Sequence, residues 1–323
     1  MTYDQQYKIA WLGFHQEGMD AFSGILKAGF NIEAVITLDE ESSQLRSASV
    51  SYSGLCEEYG IPLYKIKNIN DPDAITILKK LDLDILFVIG WSQIVRKEAM
   101  ACVNIGLIGA HASLLPHNRG SAPVNWAIIN GEDVTGNTLI WLTEDVDNGD
   151  IIAQRKFDIT LYDTCKTIYE KVATSNRDMI LDFLGNSVQK LPASIKQKNI
   201  DEPLLARRRP KDGLINWNQP ARKVYDFIRA LAKPYPGGFT HIKAKKMFIW
   251  EAAFFPDISA STYKVGQVIG SIYSPNDNAC GLMVACQHGV IAILHMEDEA
   301  GNIYRGRTLS ELDYKGLEFC NEG

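Results

Sequence analysis

The chain has 323 residues, of which 46% are hydrophobic and 22% are charged, and its formal net charge at pH 7 is −6. These are ordinary globular values, so extensive disorder is excluded, and the length is sufficient for two domains. The acidic balance argues against a broad surface that binds nucleic acid.

The N-terminal sequence lacks a basic segment followed by an apolar one, which argues against a signal peptide. No apolar run approaches the roughly 18 residues that span a bilayer. The six cysteines are scattered along the chain and never form a CxxC motif. This pattern is typical of reduced thiols, so we expect a cytoplasmic protein without a membrane anchor or a metal site.

Short apolar runs in the first part of the chain are predicted as strands. They lie at residues 8–13, 32–38, 61–66, 84–90 and 105–111. Amphipathic or capped segments between them predict three helices. The first ends near residue 30, the second covers 52–60 and the third covers 72–82. Strands that alternate with helices predict a doubly wound, mainly parallel α/β sheet, whose ligands bind beyond the carboxyl ends of the strands.

Further along, residues 121–132 and 163–186 predict helices, and residues 135–142 and 150–159 predict strands. We expect a first domain over residues 1–190, a polar linker over 191–212 and a second domain over 213–323. The second domain begins with an amphipathic helix that prolines stop at 234 and 236. Short β-like runs separated by turn residues follow it and predict a small barrel or open sheet.

Several common motifs are missing from the sequence. No GxGxxG follows the first strand, so a nicotinamide cofactor is not expected, and no P-loop occurs. Neither GxSxG nor HExxH is present, which removes the commonest signals of hydrolases and metalloproteases.

One stretch, residues 111–152, is dense in residues with functional chemistry. It contains HASLLP from His111, Arg-Gly at 119–120, WAIING from Trp126, TGNT at 135–138 and DNGDI from Asp147. Asp147 lies 36 residues after His111. These linked motifs, at this spacing, resemble the folate-dependent formyltransferase family, whose members include sugar N-formyltransferases and methionyl-tRNA formyltransferase.

The resemblance implies a Rossmann-like formyltransferase domain, a smaller OB-like C-terminal domain and 10-formyltetrahydrofolate as the formyl donor. It assigns catalysis to His111 and Asp147. Main-chain groups of two loops would hold the folate, at Gly90, Trp91, Gln93, Ile94, Asp145 and Val146. Positions that would contact the acceptor are Ser113, Asn118, Arg119 and Trp126. Core roles for the two tryptophans, and a solvated loop at 118–119, remain open.

The chemistry suits the two catalytic candidates independently of the resemblance. Attack of an amine on a formamide builds negative charge on oxygen and requires proton transfers. His111 can donate a hydrogen bond or move a proton, because the pKa of an imidazole is near neutrality. Asp147 can orient the imidazole and stabilise its cation.

The sequence departs from the family pattern at Gly109, where the family places a catalytic asparagine two residues before the histidine. Three explanations remain open. Asn118 or Ser113 supplies the missing donor, a water fills the room that glycine leaves, or the chain is impaired.

We expect the acceptor to be a UDP- or dTDP-linked amino sugar, in keeping with sugar N-formyltransferases, which also suggest a homodimer. A tRNA acceptor is disfavoured, because residues 37–54 contain one arginine and three acidic residues where tRNA formyltransferases carry a basic insertion. A formyltetrahydrofolate hydrolase and a folate-binding protein without turnover are the remaining alternatives.

Overall fold

A computed structural model describes residues 6–46, 48–187 and 190–320. The chain forms two compact units. The first contains Met1–Pro123, Val134–Asp158 and Ile168–Ala206, and the second contains Val124–Asp133, Ile159–Thr167 and Arg207–Gly323.

The first unit is built on a seven-stranded sheet. Its strands are β1 Ile9–Leu12, β2 Ala34–Leu38, β3 Leu63–Ile66, β4 Leu83–Val88, β5 Val103–His111, β6 Val134–Trp141 and β7 Ile151–Asp158. The order is β3-β2-β1-β4-β5-β6-β7. The first five strands are parallel to their neighbours, and β6 and β7 are antiparallel. The predicted mainly parallel α/β sheet is therefore confirmed.

Helices lie between these strands along the chain. They are α1 Gln16–Lys27, α2 Glu40–Gln44, α3 Ser53–Tyr59, α4 Pro72–Leu81, α5 Lys97–Met100, α6 Pro123–Asn130 and α7 Cys165–Asn186. Local chemistry sets several ends: His15 accepts a hydrogen bond from the Glu17 amide at the start of α1, and Pro72 opens α4. Helix α2 lies in the segment that the sequence predicted as a polar loop.

Alternate residues of each central strand enter different cores, as the two-residue period of a strand requires. In β1, Trp11 packs with α1 and α7, whereas Leu12 belongs to the core that contains Leu78 of α4. The central strands are therefore buried on both faces, and a site can form beyond their carboxyl ends.

The second unit contains most of α6, an antiparallel sheet and further helices. The strands are β8 Gly238–Ile242, β9 Lys245–Phe255, β10 Val268–Ile272, β11 Gly281–Ala285, β12 Val290–Asp298 and β13 Ile303–Arg305. Their order is β10-β11-β12-β9-β8, and β13 pairs with β12. Helix α8 (Ala221–Ala230) packs on this sheet, and α9 (Arg307–Ser310) follows β13. The predicted smaller β-rich domain is confirmed.

A C-terminal segment, residues 317–320, forms backbone hydrogen bonds with β10 and β8, the first and last strands of this order. Cys320 exchanges two backbone hydrogen bonds with His241 of β8, at 2.9 and 3.1 Å. The Val268 amide at the start of β10 donates to the carbonyl of Leu317. The five-stranded path is thereby bridged from one edge to the other.

Candidate active site

His111 is the last residue of β5, and Asp147 lies in the loop between β6 and β7. The His111 side chain is buried, with 9% of its surface exposed, and its Nδ1 atom lies 3.5 Å from Oδ2 of Asp147. The structure therefore brings together the two side chains that the sequence predicts as catalytic, although one ends a strand and the other lies in a loop.

The other ring nitrogen of His111 has a fixed partner. Nε2 lies 2.8 Å from the carbonyl oxygen of Asn118. A carbonyl only accepts hydrogen bonds, so Nε2 carries a hydrogen in this arrangement. The remaining ring nitrogen, Nδ1, faces the Asp147 carboxylate.

Backbone geometry presents the Asp147 carboxylate to the histidine. Asp147 has a positive φ of 52°, which is uncommon for a residue other than glycine. Its Oδ2 accepts a hydrogen bond of 2.9 Å from the amide of Gly120. Gly149 closes the turn where a Cβ would lie 1.5 Å from the carbonyl oxygen of Trp141, so only glycine fits there.

Side chains of β6 and β7 donate hydrogen bonds to backbone carbonyls of the loop from residue 112 to residue 120. Thr138 Oγ1 donates to the carbonyl of Ser113, and Gln154 Nε2 donates to the carbonyl of Leu115. The Ser113 hydroxyl donates to the carbonyl of His117 at 2.7 Å, and Ser113 is buried. Ser113 thus braces the loop, and its hydroxyl hydrogen is already used.

Residues 195–205, within the segment predicted as a linker, contribute to this site. Gln197 Nε2 donates to the carbonyls of Asp147 and Gly149, both at 2.8 Å. The Arg119 guanidinium donates to Oε1 of the same glutamine. Leu205 exchanges backbone hydrogen bonds with Arg119 and Ser121. Arg119, predicted to reach the acceptor, here acts on the Asp147 turn through Gln197.

Sequence reasoning did not find Gln197. A single glutamine in a polar segment has no periodicity or motif that marks it. Only the position of this segment beside residues 117–121 reveals its contacts.

Gly109 lies two residues before His111 on β5, and the space above it is filled. A Cβ built at Gly109 would lie 2.5 Å from Cδ2 of Leu142 and 3.0 Å from its Cγ. Leu142 is half-buried and packs against the core of α4. The room that glycine was expected to leave for a water is therefore occupied by an apolar side chain.

The first loop predicted to hold folate follows β4, at the same edge of the sheet. Gly90 has a φ of 65°, and a Cβ there would lie 2.8 Å from Cβ of His15, so the segments that follow β1 and β4 approach closely at this point. The Trp91 ring packs edge-on against Phe14, and its Nε1 is buried without a partner among the described residues. This indole N–H is available to a ligand.

The neighbouring residues of this loop have different surroundings. Gln93 uses both ends of its amide, donating to the carbonyl of Lys67 and accepting from the amide of Ile69. Ile94 is 64% exposed, and its carbonyl accepts from Asn70. In the second predicted loop, Asp145 and Val146 are both exposed just before Asp147.

Trp126 differs from the other candidates in its surroundings. It lies on α6 and belongs to the second unit, whereas the other candidates belong to the first. The guanidinium carbon of Arg208 lies 5.0 Å from the centre of its ring, within cation–π distance. This packing favours the structural role that the sequence left open for Trp126.

Two family models match the chain. The formyl transferase model matches residues 26–184, and the model of the formyl transferase C-terminal domain matches residues 208–311. The chain belongs to the formyltransferase family. Both the His111–Asp147 pair and the loop after β4 lie within the first matched region.

One curated relative of this formyltransferase family is the bifunctional polymyxin resistance protein ArnA of Wigglesworthia glossinidia brevipalpis. It is 33% identical over 307 residues, which are 94% of this chain and 45% of ArnA. The chain therefore spans less than half the length of this relative.

Two solved structures share the fold. HypX from Aquifex aeolicus, as a multiply substituted variant, matches with a TM-score of 0.65 and 16% identity over 91% of this chain and 44% of HypX. The N-formyltransferase from Helicobacter canadensis, in complex with folinic acid and dTDP-3-aminofucose, matches with a TM-score of 0.64 and 18% identity over 88% of this chain and 98% of that one.

The described residues contain neither a metal-binding cluster nor a helix that could span a membrane. No group of three or more His, Cys, Asp or Glu residues in ranges 6–46, 48–187 and 190–320 has a geometry that could hold a metal ion. Within the same ranges, no helix is both long and apolar enough to cross a membrane.

Proposed function

We propose that this formyltransferase moves a formyl group from 10-formyltetrahydrofolate to the amine of a UDP- or dTDP-linked amino sugar. The observation that carries the proposal is the His111–Asp147 pair, with 3.5 Å between Nδ1 and Oδ2, at the carboxyl end of β5. Substrates of parallel α/β sheets bind at this edge.

The pair supplies two operations that formyl transfer needs. The attacking amine must lose a proton, and the His111–Asp147 pair can take it, with the carboxylate balancing the positive charge of the imidazolium. The leaving folate nitrogen must then gain a proton, which the same imidazolium can return. Burial strengthens the attraction between the charges, because little water separates them.

The known ligands and names of relatives support an amino-sugar acceptor. The Helicobacter canadensis enzyme binds folinic acid together with dTDP-3-aminofucose, so this fold accommodates a folate and a nucleotide sugar at once. That likeness, at 18% identity, concerns the fold. ArnA, at 33% identity, is named for polymyxin resistance.

The charges after β2 argue against tRNA as the acceptor. Lys65 and Lys67 form ion pairs with Glu40 and Glu41, so these two ammonium groups already have counter-charges. Phosphate neutralisation along a tRNA stem requires several unpaired basic side chains. Salt-sensitive, sub-micromolar binding of tRNA to the purified protein would overturn this preference.

One experiment separates transfer from the alternatives. The protein is incubated with 10-formyltetrahydrofolate, with and without a panel of UDP- and dTDP-linked amino sugars, and both tetrahydrofolate and formylated sugar are measured. Release that depends on a sugar supports the proposal. Release without a sugar indicates a hydrolase, and absence of release from a folate-binding sample indicates binding alone.

Asp147→Asn is the matched control for this experiment. It removes the charge but retains an oxygen that can accept a hydrogen bond from the Gly120 N–H. Activity of the site should therefore fall in this variant, whereas activity of a contaminating enzyme would persist. The homodimer expected from the sequence stays a prediction, which light scattering on the same sample would test.

A further inference from the structure

A cavity of about 410 Å³ lies beyond the carboxyl end of β2, among residues of the segment that follows this strand. The volume is in the range of small-molecule sites. Residues that line it include Glu40, Ser43, Arg46, Ser49, Ser51 and Lys65. The cavity contains none of the residues predicted from the sequence to bind folate or the acceptor.

Arg46 is the only arginine between residues 37 and 54, and its charge is unbalanced within the cavity. Lys65 is paired with Glu40, which leaves the guanidinium of Arg46 as the remaining formal charge of the lining. The Nε atom of Arg46 is buried and has no hydrogen-bond partner among the described residues. A buried guanidinium N–H without an acceptor is unfavourable, so this group is suited to an anionic ligand.

The serine hydroxyls of the lining add further donors. The Oγ atoms of Ser43 and Ser49 are hydrogen-bonded to each other, which uses one hydroxyl hydrogen and leaves the second. Ser51 Oγ accepts from the amide of Ser53 at 3.3 Å, so its own hydrogen is also available. Hydroxyl hydrogens and a guanidinium that face one cavity match the oxygens of a phosphate group.

We propose that this cavity binds a phosphate group of a small-molecule nucleotide, with Arg46 as the principal contact. The phosphate could come from the acceptor or from a separately bound nucleotide. Three strand spacings separate β2 from β5, which is about 14 Å at about 4.8 Å each. A single molecule therefore links this cavity to His111 only if it is extended, as a nucleotide sugar is.

Binding is measured by calorimetry with inorganic pyrophosphate, UDP and dTDP as probes, which requires no turnover and so stands apart from the test of formyl transfer. We expect Arg46→Gln to weaken binding at least about tenfold, because a charged hydrogen bond is lost. Arg155→Gln is the matched control, since Arg155 lies on β7 and pairs with Asp182. Its affinity should equal that of the unmodified chain.

The three probes give distinguishable results. Displacement of pyrophosphate by UDP or dTDP assigns the site to a nucleotide. A site that takes pyrophosphate but neither nucleotide, or equal affinities in Arg46→Gln and Arg155→Gln, overturns the proposal. Amide hydrogen exchange of the unmodified chain gives an independent readout if Arg46→Gln fails to fold. Residues 48–53 should exchange more slowly with the probe bound, and unchanged exchange contradicts the proposal.

Discussion

Leu142 covers Gly109 so closely that a Cβ at position 109 would lie 2.5 Å from its Cδ2 atom. The asparagine of the family pattern therefore does not fit here unless Leu142 moves. Positions 109 and 142 act as a pair, and the meaning of the glycine depends on the leucine beside it.

We expect Gly109→Asn alone to destabilise the chain by about 1–3 kcal/mol, because the new side chain overpacks the site. The double variant Gly109→Asn/Leu142→Ala should recover most of this loss. If the chain is impaired by the missing amide donor, the double variant should also form product faster. Urea unfolding and kcat/KM are measured for both variants, with Leu142→Ala alone as the control. Equal stability of the single and double variants would contradict the pairing.

Asp147→Asn tests the charge of the catalytic pair. The asparagine can still accept the Gly120 N–H, so the turn should persist, and kcat should fall on the order of 10²- to 10³-fold. His111→Asn should cost a similar factor. If the two groups act as one unit, kcat of the double variant should be little lower than kcat of either single variant. A double variant whose loss of kcat equals the product of the two single losses would disprove this.

Gln197→Ala tests positioning through the segment after α7. Two hydrogen bonds to the carbonyls of Asp147 and Gly149 are lost, so we expect kcat to fall about tenfold, or ~1.4 kcal/mol, with little change in KM. The neighbouring Lys198 is exposed, and Lys198→Ala serves as the matched control. A variant with a lower melting temperature but an unchanged kcat would show that Gln197 is only structural.

His295 on β12 predicts a pH dependence of stability. Burial lowers the pKa of this imidazole below its ordinary value of 6.5, and the opposing effect of Glu251 is smaller. The unfolded chain thus binds this proton at a pH where the folded chain does not, so stability falls as pH drops below about 6.5.

The comparison with His295→Gln isolates this contribution. Free energies of unfolding are measured in urea at about pH 7.5 and about pH 5.5, on either side of the ordinary imidazole pKa. We expect the unmodified chain to lose more stability than the variant between the two. Equal losses would mean that His295 keeps its ordinary pKa in the folded state.

The cysteines should differ in reactivity with a thiol reagent near pH 8. Burial raises the pKa of Cys165 and that of Cys286 to about 12, whereas Cys320 is exposed. Because the thiolate is the reactive form, Cys320 should react first and the two buried thiols only on unfolding. Cys320→Ser should remove the fast phase. Mass-spectrometric detection of early modification at Cys165 would refute the expectation.

The strands and the catalytic pair were predictable for physical reasons. A central strand such as Leu83–Val88 is buried on both faces, so it leaves a continuous apolar run in the sequence. Linked motifs mark both His111 and Asp147, and His111 ends a strand of the parallel part of the sheet, where ligands bind.

Other features of the site depend on packing between distant segments. Gln197 contacts the Asp147 turn only because residues 195–205 run beside residues 117–121, and nothing periodic marks that approach. Leu142 reads as the last apolar residue after a strand, and only coordinates show that it fills the space above Gly109. The sequence shows that Arg46 is charged, but it does not show the cavity that this side chain lines.

The bridge that residues 317–320 form in the second unit has a practical consequence for handling the protein. A chain cut after Gly316 would leave the backbone N–H and C=O groups of His241, and the N–H group of Val268, without their partners. Exposed strand edges recruit strands of other molecules, and the cut also removes Phe319 from the core, so such a truncated form should self-associate and precipitate.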